Sequence, residues 1–436
     1  MIRDLAIIFY YSPLNKYSVN AIVAAVDVLQ IGDIYLVDEK IGLLKVVRYL
    51  SKKYKRVVVG IGLNTLMLAD DSFLYTLLEL NRGKPGNVIT LAGGPHASGD
   101  PLGTILKLGF DTAIIGEGEQ SIQELLRAII DDRDYCRVKG VFTVSDGKIC
   151  FSGRPRPIDL NRFHPFPFWR HLFSPIEITR GCPYGCFYCQ VSYMHGFKPR
   201  HRSIDKILYY SEIMAREGFK DIRFITPNSL GYGIYHRDEK PRIDIIEELL
   251  SRLYAIIVKK YGGRIFFGTF PSEIRPEHLD YEAAKMLKKY VANKEIILGA
   301  QSGSNKILEI MRRGHTIEDV YNAVEACIKA GFIPSVDFII GLPYEDEEDI
   351  KLTLKAMEKI VSMGGKIHLH TFLPLPGTPY ANKPPGRIPS WVKKEVFKLI
   401  GKGAAYGQWI QQEKIARKID ELRRKGLILS GSMDRL

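Results

Sequence analysis

The first 150 residues alternate short apolar runs with stretches in which apolar positions recur every three or four residues, the pattern of strands and amphipathic helices taken in turn. The runs fall at residues 5–11, 33–37, 56–61, 88–92 and 112–115, and helical stretches at 40–53, 72–80 and 121–130 lie among them. This predicts a doubly wound, Rossmann-like α/β domain over 1–150, with ligands at the carboxyl ends of its strands. Asp146-Gly147 between two further apolar runs signals a tight hairpin. Prolines then crowd 151–172, which reads as an interdomain linker.

From residue 176 the alternation resumes. Strands are expected at 176–179, 221–225, 264–269, 295–300, 334–340 and 366–372, with helices between them, for example at 242–260 and 345–362. Six such units predict a partial (β/α)6 barrel over 172–385, with its site at the carboxyl ends of the strands. Residues 386–436 read as a C-terminal helical extension.

The chemistry is concentrated directly after the first barrel strand. In Thr179-Arg-Gly-Cys-Pro-Tyr-Gly-Cys-Phe-Tyr-Cys189, Cys182, Cys186 and Cys189 place three thiolates on one short loop. That spacing suits three corners of a 4Fe-4S cluster and leaves the fourth iron open. A structural zinc site completed by His195 or His201 is the competing arrangement, although zinc sites usually show paired Cys-x-x-Cys knuckles. A disulfide framework fits worse, because six Cys in 436 residues are sparse and three of them are crowded together.

The loop resembles the signature of the radical S-adenosylmethionine (SAM) enzymes, with Tyr188 as the aromatic residue before the last Cys. The resemblance implies that the open iron chelates SAM, that one electron cleaves it to a 5'-deoxyadenosyl radical, and that this radical abstracts hydrogen. It implies an electron donor such as ferredoxin or flavodoxin. Later strand ends resemble the family too. Asn228 stands where groups approach the SAM amino group, and Gln301 and Ser302 match positions near its ribose or carboxylate. Asn228 could equally cap a turn, and Ser304 a helix. Glu273 and Arg275 read as an acid–base pair at the rim, or as an exposed ion pair of little consequence. Residues 337–343 loosely resemble the segment near adenine, with Asp337 in place of its first Gly and Glu345 one residue late. No catalytic side chain is assigned.

Two glycine-rich strand ends in the first domain, Gly93-Gly94-Pro95-His96 and Gly116-Glu117-Gly118-Glu119, resemble the cobalamin-binding domain found ahead of many radical SAM domains. The resemblance implies cofactor contacts at Gly93, Gly94, His96, Gly116, Glu117 and Gly118. The Asp-x-His-x-x-Gly motif is absent, so no cobalt ligand from it is expected. A flavodoxin-like domain serving only as a lid is the alternative.

Composition changes little in this picture. The apolar share of 46% and charged share of 25% are those of a soluble protein, and no apolar run is long enough to span a bilayer. The start reads as a strand, too short in apolar residues for a signal peptide, and a cytoplasmic location is expected. Net charge is +13, with about half the excess in the last fifty residues, as in Trp391-Val-Lys-Lys-Glu-Val-Phe-Lys. Such helices could meet nucleic acid, another acidic partner or anionic lipid, or be solvated faces. The internal motifs are closest to the branch that includes tRNA methylthiotransferases, but only Cys136 and Cys150 stand in the first domain, against the three cysteines of that branch. The expected function is therefore cobalamin-dependent methylation of an unactivated carbon, with radical rearrangement, carbon–carbon coupling or a non-catalytic sensor as alternatives and the substrate unknown.

Overall fold

A computed structural model describes residues 3–145 and 147–429. Strands β1 (Arg3–Tyr10), β2 (Asp33–Val37), β3 (Tyr54–Gly62), β4 (Val88–Gly93) and β5 (Thr112–Ile114) pair in parallel in the order β2-β1-β3-β4-β5. Val57, Val58 and Val59 of β3 are all buried, because a central parallel strand is covered on both faces and needs an unbroken apolar run. Helices Lys40–Ser51 and Asp71–Gly83 cover one face, and Lys16–Asp27 and Gly118–Ile130 the other. Asp70 caps the second of these, accepting from Ser72 N at 2.9 Å and Phe73 N at 3.2 Å. Strands β6 (Val141–Ser145) and β7 (Lys148–Phe151) close the edge as the expected antiparallel hairpin; Gly147 turns with φ +74°, and Asp146 lies outside the described residues.

The segment read as a linker is a staple. Phe166 is buried in the barrel core, while Trp169 Nε1 and the Arg170 guanidinium bind Asp27 of the first domain at 2.5 and 2.6 Å. The predicted strand 176–179 is two short ones, β8 (Ile176–Glu177) and β9 (Thr179–Arg180), and β9 pairs with β10 (Arg200–His201). The barrel continues through β11 (Asp221–Ile225), β12 (Arg264–Phe266), β13 (Glu295–Gln301), β14 (Ile333–Ile340) and β15 (Lys366–Thr371). Parallel pairing runs β8-β11-β12, crosses at the bridge between Ile274 and Leu298, and resumes β13-β14-β15.

A further strand, β16 (Ala405–Tyr406), pairs with β15 and comes from the segment read as a helical extension. Its two helices, Ser390–Gly401 and Trp409–Arg424, brace the fold instead of standing apart. Trp409 is buried in the barrel core, Ile419, Leu422 and Ile428 enter the core of the first domain, and Leu429 N donates to Asp100 at 2.9 Å. Residues 430–436 lie outside the description. Among the described residues no helix is long and apolar enough to cross a membrane.

Candidate cofactor and catalytic site

The chain leaves β9 through Gly181, whose φ of +89° and approach to Lys198 O exclude a side chain: a Cβ there would sit 2.9 Å from that oxygen. The cysteine loop that follows is pinned by its own backbone. Cys182 N donates to Gly196 O (3.2 Å), Phe187 N to Met311 O (3.1 Å), and Ser192 Oγ to Cys182 O (2.8 Å). All three thiols are unpaired; Cys186 is buried and its two partners half-buried. Burial pushes the Cys182 thiol up and that of Cys189 up to about 12. A metal that takes all three as thiolates would reverse that cost.

The donor set fits a cluster better than one ion. The three sulfurs are not gathered within 4.8 Å of one another. His201 has both ring nitrogens engaged, by Thr179 Oγ1 (3.0 Å) and Ile234 O (2.8 Å), and His195 Nδ1 stands 3.8 Å from Glu117. A tetrahedral zinc arrangement of the three thiols and a histidine is not formed among the described residues.

Two guanidinium groups close on the buried sulfur, Arg313 Nη1 at 3.9 Å and Arg275 Nη1 at 4.0 Å. The Glu273–Arg275 pair expected from sequence is not formed. Arg275 binds Glu277 (2.6 Å) and stacks on the Tyr184 ring (3.5 Å), whereas Glu273 faces Arg313 at 3.3 Å. Arg313 also donates to Gly299 O (2.5 Å) and to Tyr188 OH (3.3 Å), so it links strand β13 to the cysteine loop. Burial pushes the Glu273 carboxyl up, against the opposing pull of Arg313. Sequence reasoning missed Arg313. The only signal was the doublet Arg312-Arg313, in which one side chain is exposed and the other buried.

Around the loop stand the other predicted residues. Gln301 is the outlier: it sits on a bulge of β13 with φ +73°, a left-handed conformation costly for a side chain, and its Nε2 is 3.5 Å from Glu273. Ser302 is fully buried and its Oγ accepts from Ser304 N (3.2 Å). Asn228 is committed internally, Nδ2 to His278 Nδ1 (2.8 Å) and Oδ1 from Arg275 N (3.1 Å).

Between the domains, at the carboxyl ends of β1, β3 and β4, lies a cavity of about 400 Å³. Gly93, Gly94, Gly116, Glu117 and Gly118 line it, as does the unforeseen segment after β1 from Pro13 to Tyr17. A Cβ on Gly93 would meet nothing within 4 Å, so the cavity floor there is bare backbone. His96 is not on the lining: its ring is buried and bonded to Thr65 Oγ1 at 3.0 Å. The carboxylates on the cavity lining are all paired. Arg180 binds Glu119 and Glu177, both at 2.7 Å, and Glu117 is gripped by Arg200 and accepts from Ile158 N at 2.9 Å. Burial opposes the charge on Glu117, yet His195, Arg200 and Arg180 hold it well below the usual carboxylate range.

Comparison with known proteins accords with this geometry. Residues 176–357 match the family model of the radical SAM superfamily. The uncharacterized methyltransferase PH0819 of Pyrococcus horikoshii is 27% identical over 341 residues, covering 75% of this chain and 69% of that protein. The radical SAM methyltransferase TsrM of Kitasatospora setae, solved with cobalamin and a 4Fe-4S cluster, superposes with a TM-score of 0.68 at 15% identity, covering 88% of this chain and 75% of that one. The cobalamin-dependent radical SAM enzyme OxsB, solved with aqua-cobalamin, gives a TM-score of 0.64 at 13% identity, covering 98% of this chain and 62% of that one. At such identities the two structures speak for the fold, and the Rossmann-like sheet followed by a barrel is common to them.

Proposed function

We propose that this chain, whose residues 176–357 are a radical SAM domain, is a cobalamin-dependent enzyme that methylates an unactivated carbon. The observation that carries the proposal is a shared wall. Arg180, two residues ahead of Cys182, lines the glycine-floored cavity, so that cavity and the cysteine loop lie side by side. Domain limits of 1–150 for corrin binding and 172–385 for the radical SAM unit follow from this reading, with 386–436 as the brace.

In this reading Cys182, Cys186 and Cys189 hold a 4Fe-4S cluster, and Tyr188, Asn228, Gln301 and Ser302 form the SAM wall. Gly93, Gly94, Gly116 and Gly118 offer backbone to the corrin, Glu117 fixes their loop, and His96 supports that floor from behind. When bound, these groups supply an electron, an adenosyl radical and a methyl donor. The protein's part is to orient and shield them. Arg275 and Arg313 bring positive charge to a thiolate-ligated centre, and Arg180 ties the Gly116–Glu119 loop to the strand entering the cysteine loop. A ferredoxin or flavodoxin serves as reductant.

Anaerobic reconstitution with iron, sulfide and cobalamin, followed by desalting, tests both halves. Retained corrin is expected. With SAM, a reductant and an extract of cells lacking the gene, 5'-deoxyadenosine and a product heavier by one methyl group are expected. Loss of all corrin on desalting would return the first domain to a lid, and 5'-deoxyadenosine with a product of unchanged mass would mean rearrangement.

A further inference from the structure

Along β14 and β15 the side chains alternate between two faces. Val336, Phe338, Ile340, Ile367 and Leu369 join the core beneath the helices, so Asp337, His368 and His370 stand on the other face. That face looks into the barrel, because Ile339, which shares it, belongs to the apolar cluster against which Phe187 and Tyr188 of the cysteine loop pack. His368 lies mid-strand between two paired neighbours and still keeps 27% of its side chain exposed, so it borders an opening.

The hydrogen bonds fix the role of Nδ1 in each ring. Thr371 N donates to Gln412 Oε1 at 2.9 Å, which turns the Gln412 amide nitrogen toward His370 Nδ1, 3.1 Å away. An amide NH2 can only donate, so His370 Nδ1 accepts and its proton sits on Nε2. Burial also pushes the His370 pKa down, which keeps the ring neutral. His368 faces the opposite kind of partner. Its Nδ1 lies 2.9 Å from Asp337 Oδ1, a carboxylate that can only accept, so Nδ1 bears a proton, and in the neutral ring Nε2 is the atom that offers a lone pair. The Tyr406 ring stacks on His368 at 4.6 Å and 14°, itself held by Ser335 Oγ at 2.8 Å.

Asp337, His368 and His370 present ligand atoms within 4.8 Å of one another, close enough for one transition-metal ion. A metal-bound histidine donates its other ring N–H to an acceptor. His370 faces a donor instead, so the trio is arranged for proton chemistry.

We propose that His368, oriented by Asp337, is the proton acceptor for the substrate, and that His370 Nε2–H donates to an acceptor on the same molecule. The substrate class is then one with an N–H or O–H beside a hydrogen-bond acceptor, such as a heteroaromatic ring. In the step the substrate N–H or O–H bond breaks, its electron pair stays on the substrate, and the proton forms the new Nε2–H of an imidazolium stabilised by Asp337. No oxidant or reductant is consumed. The inference rests on the reading of the barrel as the catalytic chamber of a methylating radical SAM enzyme.

Two measurements separate its failure from the failure of that reading. In the full chain with isotopically labelled histidine nitrogens, assigned through H368N and H370N, long-range nitrogen–proton NMR should show His368 protonated on Nδ1 and His370 on Nε2. The reverse on either ring overturns the proposal, as does stoichiometric zinc binding that both variants lose. In the extract assay H368N should lower methylated product by about 10²–10⁴-fold while iron content and SAM affinity hold, and D337N should lower product and shift the His368 proton. Wild-type turnover by H368N overturns the proposal. If the wild-type enzyme itself methylates nothing, the parent reading fails, and the tautomer and zinc results still decide the dyad.

Discussion

The interdomain cavity and the barrel interior lie on two sides of the cysteine loop and use their polar residues in opposite ways. In the cavity the carboxylates are paired, Glu119 and Glu177 with Arg180 and Glu117 with Arg200, and apart from Lys16 the surface left for an occupant is largely apolar side chain and glycine backbone. In the barrel, three thiols, a strained Gln301 and the His368 ring keep bonding capacity in hand. A buried charge without a partner is costly, so a site that only holds a large group satisfies its own charges in advance. A reacting site must leave some groups uncommitted. The difference teaches which chamber's side chains are already committed to one another and which chamber's are free to meet a ligand.

The largest expected effect falls on the chemical side. Replacing any one of Cys182, Cys186 and Cys189 by Ala should remove the iron–sulfur absorbance and labile sulfide entirely. Cys136, beside the β6–β7 hairpin, Cys150, on β7, and Cys327, buried where the helix Ile317–Lys329 packs on the barrel, should be replaceable without loss. Iron loss in C136A equal to that in C186A would break the division between the chambers.

On the binding side, Arg180→Met should leave Glu119 and Glu177 buried without their shared cation, at a cost of about 3–5 kcal/mol in urea denaturation. Unchanged stability would mean that the cavity's charges are not the tie between the domains. The two adjacent glycines sharpen the point. Gly94 has φ +86° and a Cβ would stand 3.1 Å from Leu63 O, so G94A should cost about 1–2 kcal/mol. Gly93 is extended with open space beside it, so G93L should leave the denaturation midpoint nearly unmoved while weakening corrin retention. Equal destabilisation by both would put Gly93 in the framework, outside the binding surface.

The smallest effect separates strain from function within the barrel. Gln301→Gly should relieve the φ of +73° and stabilise the chain by up to about 1 kcal/mol, while SAM binds more weakly by titration calorimetry. Unchanged SAM affinity would leave the bulge as framework only.

Some of this was readable along the chain and some was not. The strands at 33–37 and 221–225 appear with the expected limits, since an apolar run bounded by turn residues has few other uses. The predicted strand at 264–269 stops at Phe266, where its pairing with β11 ends; Gly268 O still accepts from Ile297 N at 2.9 Å. The Glu273–Arg275 pair looked natural at a separation of two. In the fold, however, Arg313, thirty-eight residues beyond Arg275, takes the carboxylate. His96 stood in a glycine-rich run and so looked like a cofactor contact, yet the short helix Gly94–Gly99 turns its ring toward Thr65.

What the sequence determined by itself is what short separations decide: the alternation of strand and helix, the order of two α/β units, and three cysteines brought together by one turn of loop. Spacing along the backbone constrains those directly, whatever the rest of the chain does. Only the tertiary structure decided which charges meet, that residues 405–406 add a strand to the barrel, that the last helix braces the first domain, and which partner each lumen histidine faces. Those depend on partners tens to hundreds of residues away, where side-chain direction and burial, which no local pattern encodes, select among many possible pairings.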